Sequence, residues 1–289
     1  MDHLKQDVNH MEPLARAFSR SVSEHPADDG LFGPQSVVWR VHRDRSFPLA
    51  GLRSLMIQAL HPLAMAGVAE HSAWREDPFG RVAATSGYIL TVTYGDTAAA
   101  HKAATRVRAI HSHVNGSDAV TGLEYRAGDP SLLLWIHAAM VDSIVHVVQR
   151  YGRGLDSAAA DRYVWEMVRF AELVGVPPKD VPASVAALEE YIESVDLLQA
   201  TPAARDSIGI VLDPPGLDDD VRELWRELGH VAAGTLPAWA RSMYGFGEPA
   251  AESMEREPVR QLIGALDIAF ETLPGVMDAR ERIELRMRQ

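Results

Sequence analysis

The chain contains no cysteine. That absence removes a disulfide framework, a cysteine-ligated zinc, an iron–sulfur cluster and a thiolate-ligated haem. Any metal here must be held by His, Asp, Glu, Tyr, Met or Lys. An excess of positive charge is missing as well: 28 Lys and Arg stand against 40 Asp and Glu, a formal net charge of −12. Such a chain repels phosphate backbones and anionic lipid heads, so no nucleic-acid partner is expected. No run of about 18 uncharged apolar residues occurs, and no membrane span is expected. The opening residues, Met1 to Val8, lack the apolar stretch of a secretory signal, so the expected location is cytoplasmic. Also absent are His-Glu-x-x-His, a P-loop, a Gly-x-Ser-x-Gly elbow, a Gly-x-Gly-x-x-Gly after a strand, and tandem repeats. These gaps remove the zincin, common nucleotide and common hydrolase readings.

What is present points to helices. The 289 residues are 47% hydrophobic and 24% charged, ordinary for a chain that buries a large core. Leu52, Leu55, Met56, Ala59, Leu60, Leu63 and Ala64 recur at helical spacing over 51–70, with a kink or break expected at Pro62. Asp77-Pro78 and Asp129-Pro130 each place a capping acid before a first-turn proline, opening helices over 78–94 and 130–150. Asp96-Thr97 caps a helix running to about Val114, which Asn115-Gly116 stops. Further helices are expected over 158–175, 183–200, 217–233 and 258–272, with a charged helical tail. Asp213-Pro214-Pro215-Gly216 is the clearest loop, and Asp218-Asp-Asp220 reads as solvated charge. No alternating β-branched run stands out. The fold class is therefore all-α, a single multi-helix globular domain.

Histidines concentrate in the middle of the chain: His61, His71, His101, His111, His113, His137 and His146. A buried imidazole must satisfy its ring nitrogens, and several within one helical core are unusual unless one binds something. Chelation by neighbours is not offered. His111 and His113 point to different sides of a helix, and Glu227-Leu-Gly-His230 has no second copy for a carboxylate-bridged di-iron site. What remains is one histidine on one helix facing a pocket, the protein contribution that haem b needs. His3, His10, His25, His42 and His101 read as solvent-exposed, and Asp142 and His146 as satisfying each other. Trp135, Trp165, Trp225 and Trp239 read as core.

Four segments carry a resemblance. They are Gly51–Pro62 (GLRSLMIQALHP), His71–Thr85 (HSAWREDPFGRVAAT), Val107–Gly116 (VRAIHSHVNG) and Tyr125–Ala138 (YRAGDPSLLLWIHA). Over about 32–148 the chain resembles the catalytic domain shared by latex-clearing rubber oxygenases and mpaB-type oxygenases, closest to its short bacterial members. The rubber oxygenases use haem b to cleave carbon–carbon double bonds with dioxygen. Their proximal histidine lies in Val-Arg-x-x-His-x-x-Val, matched by Val107, Arg108, His111 and Val114, which implies His111 as the iron ligand. Their distal Arg-x-x-Lys-Thr reads Arg81-Val-Ala-Ala84-Thr85 here; the lysine is replaced by Ala84. Neither Glu70 nor Glu76 falls where the family's catalytic glutamate is expected.

The resemblance implies a haem b (iron) oxygenase or oxidase acting with dioxygen on an apolar small molecule, in a haem cleft between core helices. The expected catalytic residues are Arg81, Thr85 and His137. The expected cofactor-binding residues are His111, Arg81, Arg108 and Tyr88. Residues 1–30 form a polar arm and 31–289 the oxygenase-like domain, with a C-terminal subregion from about 216. A haem- or gas-binding protein without turnover, and a helical interaction protein that has lost its cofactor, stay open as rivals. So does a homodimer.

Overall fold

The computed structural model describes residues 11–217 and 219–289; His3, His10 and Asp218 lie outside them, as does the side chain of Asp220. Among these residues the chain is helical apart from one small hairpin. The helices are α1 (Glu12–Ser21), α2 (Val37–His42), α3 (Phe47–Gln58), α4 (Pro62–His71), α5 (Pro78–Tyr94), α6 (Thr97–His111), α7 (Pro130–Tyr151), α8 (Ser157–Val174), α9 (Val185–Glu193), α10 (Pro202–Leu212), α11 (Asp219–Gly234), α12 (Ala238–Tyr244), α13 (Arg256–Glu271) and α14 (Val276–Met287). The hairpin pairs β1 (Asn115–Ser117) with β2 (Glu124–Arg126), antiparallel, with Gly116 opposite Tyr125.

The centre of the molecule is α7. It is apolar nearly all round, which suits a helix with neighbours on every side. It packs on α3, α8, α9 and α13. By length and composition it is also the one helix among the described residues able to cross a membrane, but 78% of that stretch is buried inside the protein. α1 packs on α5 and α14, and Met11 and Ala15 join Phe79 and Val276 in a satellite cluster. At the other end α11 packs on α3 and α13 on α7.

Pro62 does break the 51–70 segment: α3 ends at Gln58 and α4 begins at the proline. The break frees the Leu60 carbonyl, which accepts from the Gln199 amide at 2.9 Å. That pairing draws 194–200 into an irregular strap, so the helix expected over 183–200 stops at Glu193. The strap leads to Thr201, which caps α10 just before Pro202. The Asp77 carboxylate accepts from the Gly80 amide at 2.9 Å, as a capping acid should. Asp129 makes no side-chain cap, so its half of the shared Asp-Pro signature works through the proline alone. α6 ends at His111, earlier than expected, because Asn115-Gly116 enters β1 instead of capping a helix.

Candidate functional site

Four consecutive helices, α5 to α8, assemble one cluster. On α5, Arg81, Thr85 and Tyr88 follow each other along one face. The Arg81 guanidinium donates from Nη1 to Thr85 Oγ1 at 2.8 Å. Arg81 keeps solvent access while surrounding protein atoms desolvate it and lower its pKa. His111, in the last turn of α6, is half-buried. Burial, and then the charge of nearby Arg81, push its pKa down, so its imidazole is neutral at pH 7. A neutral imidazole is the form that donates a lone pair to a metal.

Arg108, one turn before His111, donates from Nη1 to the Leu173 carbonyl in the last turn of α8, and from Nη2 to Thr105 Oγ1 at 3.0 Å. Helix C-termini present unpaired carbonyls, so this arginine ties α6 to α8. Its charge also reaches Tyr88, whose pKa is raised by burial and partly pulled back by Arg108. The Tyr88 ring stands edge-on to Phe170 of α8 at 5.3 Å, and the His137 imidazole of α7 stacks on Phe170 at 6.2 Å. His137 is 6% exposed, and burial lowers its pKa to about 4. The Tyr88 hydroxyl and His137 Nδ1 are both buried without a hydrogen-bond partner. The six residues singled out in the sequence thus lie along one path: Thr85 and Arg81 to His111, Arg108 to Tyr88, and Phe170 to His137.

α6 is thinly covered. Of its residues only Ala100 and Ala104 are buried, and Ile110, beside His111, is 53% exposed. Among the described residues no group of three or more His, Cys, Asp or Glu could hold a metal ion. A lone neutral imidazole with no second protein ligand beside it suits a prosthetic group that brings its own equatorial donors. The two unpartnered polar atoms give such a group something to bond to. The donor set therefore fits haem.

Other expectations need correcting. His42 is buried: Nδ1 pairs with Thr93 Oγ1 at 2.8 Å and Nε2 with the Tyr163 hydroxyl at 2.9 Å. Asp142 accepts from Arg53 at 2.6 Å, and His146 makes no hydrogen bond to it. Trp165 is 54% exposed under the Arg162 guanidinium. Two residues were missed. Phe170 falls within the helix expected over 158–175, and nothing in sequence joins it to His137 or Tyr88. Tyr125 donates to Glu70 Oε2 at 2.6 Å and lies 3.2 Å from His71 Nε2, pinning the hairpin that follows His111 to the end of α4.

The fold and cluster together define an all-helical protein with a set of histidine, arginine and tyrosine side chains gathered on α5 to α8. Residues 39–267 match the family described as ER-bound oxygenase mpaB/B'/rubber oxygenase, catalytic domain. The chain belongs to that family of oxygenase catalytic domains. No curated protein and no solved structure matches it.

Proposed function

We propose that the protein is a haem b-dependent oxygenase-type oxidoreductase acting with dioxygen on an apolar small molecule. The observation that carries the reading is the neutral His111 at the end of α6, beside Arg81 and on the same path as Tyr88 and His137. Haem, when bound, supplies the redox chemistry of dioxygen activation. His111 would hold it through one ring nitrogen. The Arg81 guanidinium, partly desolvated, suits a carboxylate partner such as a propionate. Tyr88 has a hydroxyl proton with no acceptor in the protein, free to donate toward a bound group. Neutral His137 can accept a proton at Nδ1 or donate from it, according to tautomer. Thr85 accepts from the Arg81 guanidinium and donates to the Arg81 carbonyl, so its part is to fix the direction of that arginine. Phe170 and the Tyr88 ring keep water away from the apolar substrate.

The test is a hemin titration of the purified protein followed by absorbance, with a pyridine hemochrome assay. One hemin per chain with a b-type spectrum is expected, lost in His111→Ala. A wild-type protein that refuses hemin, or a His111→Ala variant with an unchanged spectrum, overturns the reading.

A further inference from the structure

α7 has a second functional-looking face. With about 3.6 residues per turn, positions 137 and 146 fall on opposite sides of the helix. On the side away from His137 lies an open cavity of about 350 Å³, whose walls include His146, Arg150, Thr235, Leu236, Arg241 and Met254. No carboxylate among the described residues lines it. The nearby acids are already engaged: Asp142 pairs with Arg53 at 2.6 Å, and exposed Glu248 pairs with Arg241 at 2.8 Å. Arg150 has no carboxylate partner among the described residues. It donates from Nε to the Tyr151 hydroxyl and from Nη2 to the Met254 carbonyl, which leaves Nη1. Arg241 Nε is buried without an acceptor. Arg241 is otherwise matched, by Glu248 through Nη2 and by the Leu236 carbonyl through Nη1, so in a chain of net charge −12 the unmatched cation of this wall is Arg150. The remaining wall is apolar, from Leu236, Pro249, Ala251 and Met254.

We propose that this cavity binds a small organic carboxylate with a short apolar tail. The head group accepts from Arg150, and the tail lies on Leu236 and Met254. His146 fits the assignment. Burial, then Arg53, push its pKa down to about 4 against the pull of Asp142, and Arg150 adds to the push. A bound anion offsets the positive neighbours and raises that value.

The probe is hexanoate, titrated calorimetrically at pH 7, with hexanol as the uncharged control and the His146 imidazole followed by NMR. One hexanoate per chain is expected, with the His146 signal moving and its titration point rising. Hexanol should bind at least tenfold more weakly. Arg150→Gln, on an exposed side chain, should weaken hexanoate at least tenfold. Ala251→Trp, also exposed, should block it by filling the cavity. The proposal fails if hexanoate gives no heat, if it binds without moving His146, if hexanol binds equally well, or if both variants bind like wild type.

Discussion

Tyr88 and His137 each carry a polar atom that folding strips of water and gives no partner. Such an atom costs about 1–3 kcal/mol relative to one that is paired. Tyr88→Phe should therefore leave the haem-free protein as stable as wild type or more so by about 1 kcal/mol, while weakening hemin retention. Thermal melting with and without hemin checks both halves; a large loss of stability without hemin would mean that the hydroxyl is paired after all. His42 behaves differently because both its nitrogens are satisfied, and the closed environment excludes its charge: burial lowers its pKa from 6.5 to about 3. Below pH 6.5 the unfolded chain takes up a proton that the folded chain refuses. Stability then falls as pH falls, by up to about 1.4 kcal/mol per pH unit for this residue, until the folded group itself titrates. Urea denaturation at pH 7, 6 and 5 should show that slope, and His42→Gln should reduce it by up to about 1.4 kcal/mol per pH unit, leaving the contributions of His137 and His146, whose pKa values burial also lowers to about 4. His42 sits between Arg40 and Arg43 in sequence, and nothing local marks it as buried. Its burial comes from Thr93 and Tyr163, far along the chain. Arg81 and Thr85 stood out through the family's motif, and helical spacing adds Tyr88 to their face; Phe170 did not, because its partners lie on other helices.

Capping acids, prolines and apolar periodicity located the long elements well. α5 runs over the expected 78–94, and α8 ends at Gly175, whose φ of +114° is the left-handed conformation glycine tolerates. The misses are elements shaped by distant contacts. The β1–β2 hairpin could not be seen from Asn115-Gly116, since its position depends on Tyr125 meeting Glu70 of α4. That contact also bears on the candidate site. The hairpin leaves α6 just after His111, so anchoring it holds the end of the helix that presents the imidazole. A Cβ on Gly116 would come within 2.7 Å of the Tyr125 hydroxyl, so the two strands need glycine at that point. Tyr125→Phe should cost about 1.5–3 kcal/mol, the range for a hydrogen bond to a charged group. It should also broaden or weaken the hemin spectrum without abolishing it. Hemin affinity measured beside urea stability separates the two effects. An unchanged spectrum would mean that the hairpin does not position His111.

At the scale of the molecule, a buried arginine of α3 ties α7 to the end of α11. Arg53 of α3 is 3% exposed. It donates from Nη1 to Asp142 and to Ser143 Oγ of α7, and from Nε to the Thr235 carbonyl just past α11 at 3.1 Å. The resemblance drew attention to 51–62 without showing why an arginine belongs there; the reason is that three helices converge on it. A buried pair of this kind adds little net stability over a well-packed apolar substitute, because both charges lose their hydration. Removing one partner is another matter, since the survivor stays in the protein uncompensated. Arg53→Met should destabilise the fold by about 3–5 kcal/mol. Arg53→Met combined with Asp142→Leu should recover a good part of that loss, a coupling of about 0.5–3 kcal/mol in a double-mutant cycle. Urea denaturation of the four proteins measures it. Strict additivity would show that Arg53 holds the helices through Ser143 and Thr235 alone. Hemin binding should survive in the double variant, because Arg53 touches none of the residues around His111. Loss of hemin there, in a protein still folded, would mean that the C-terminal helices help to set the cleft.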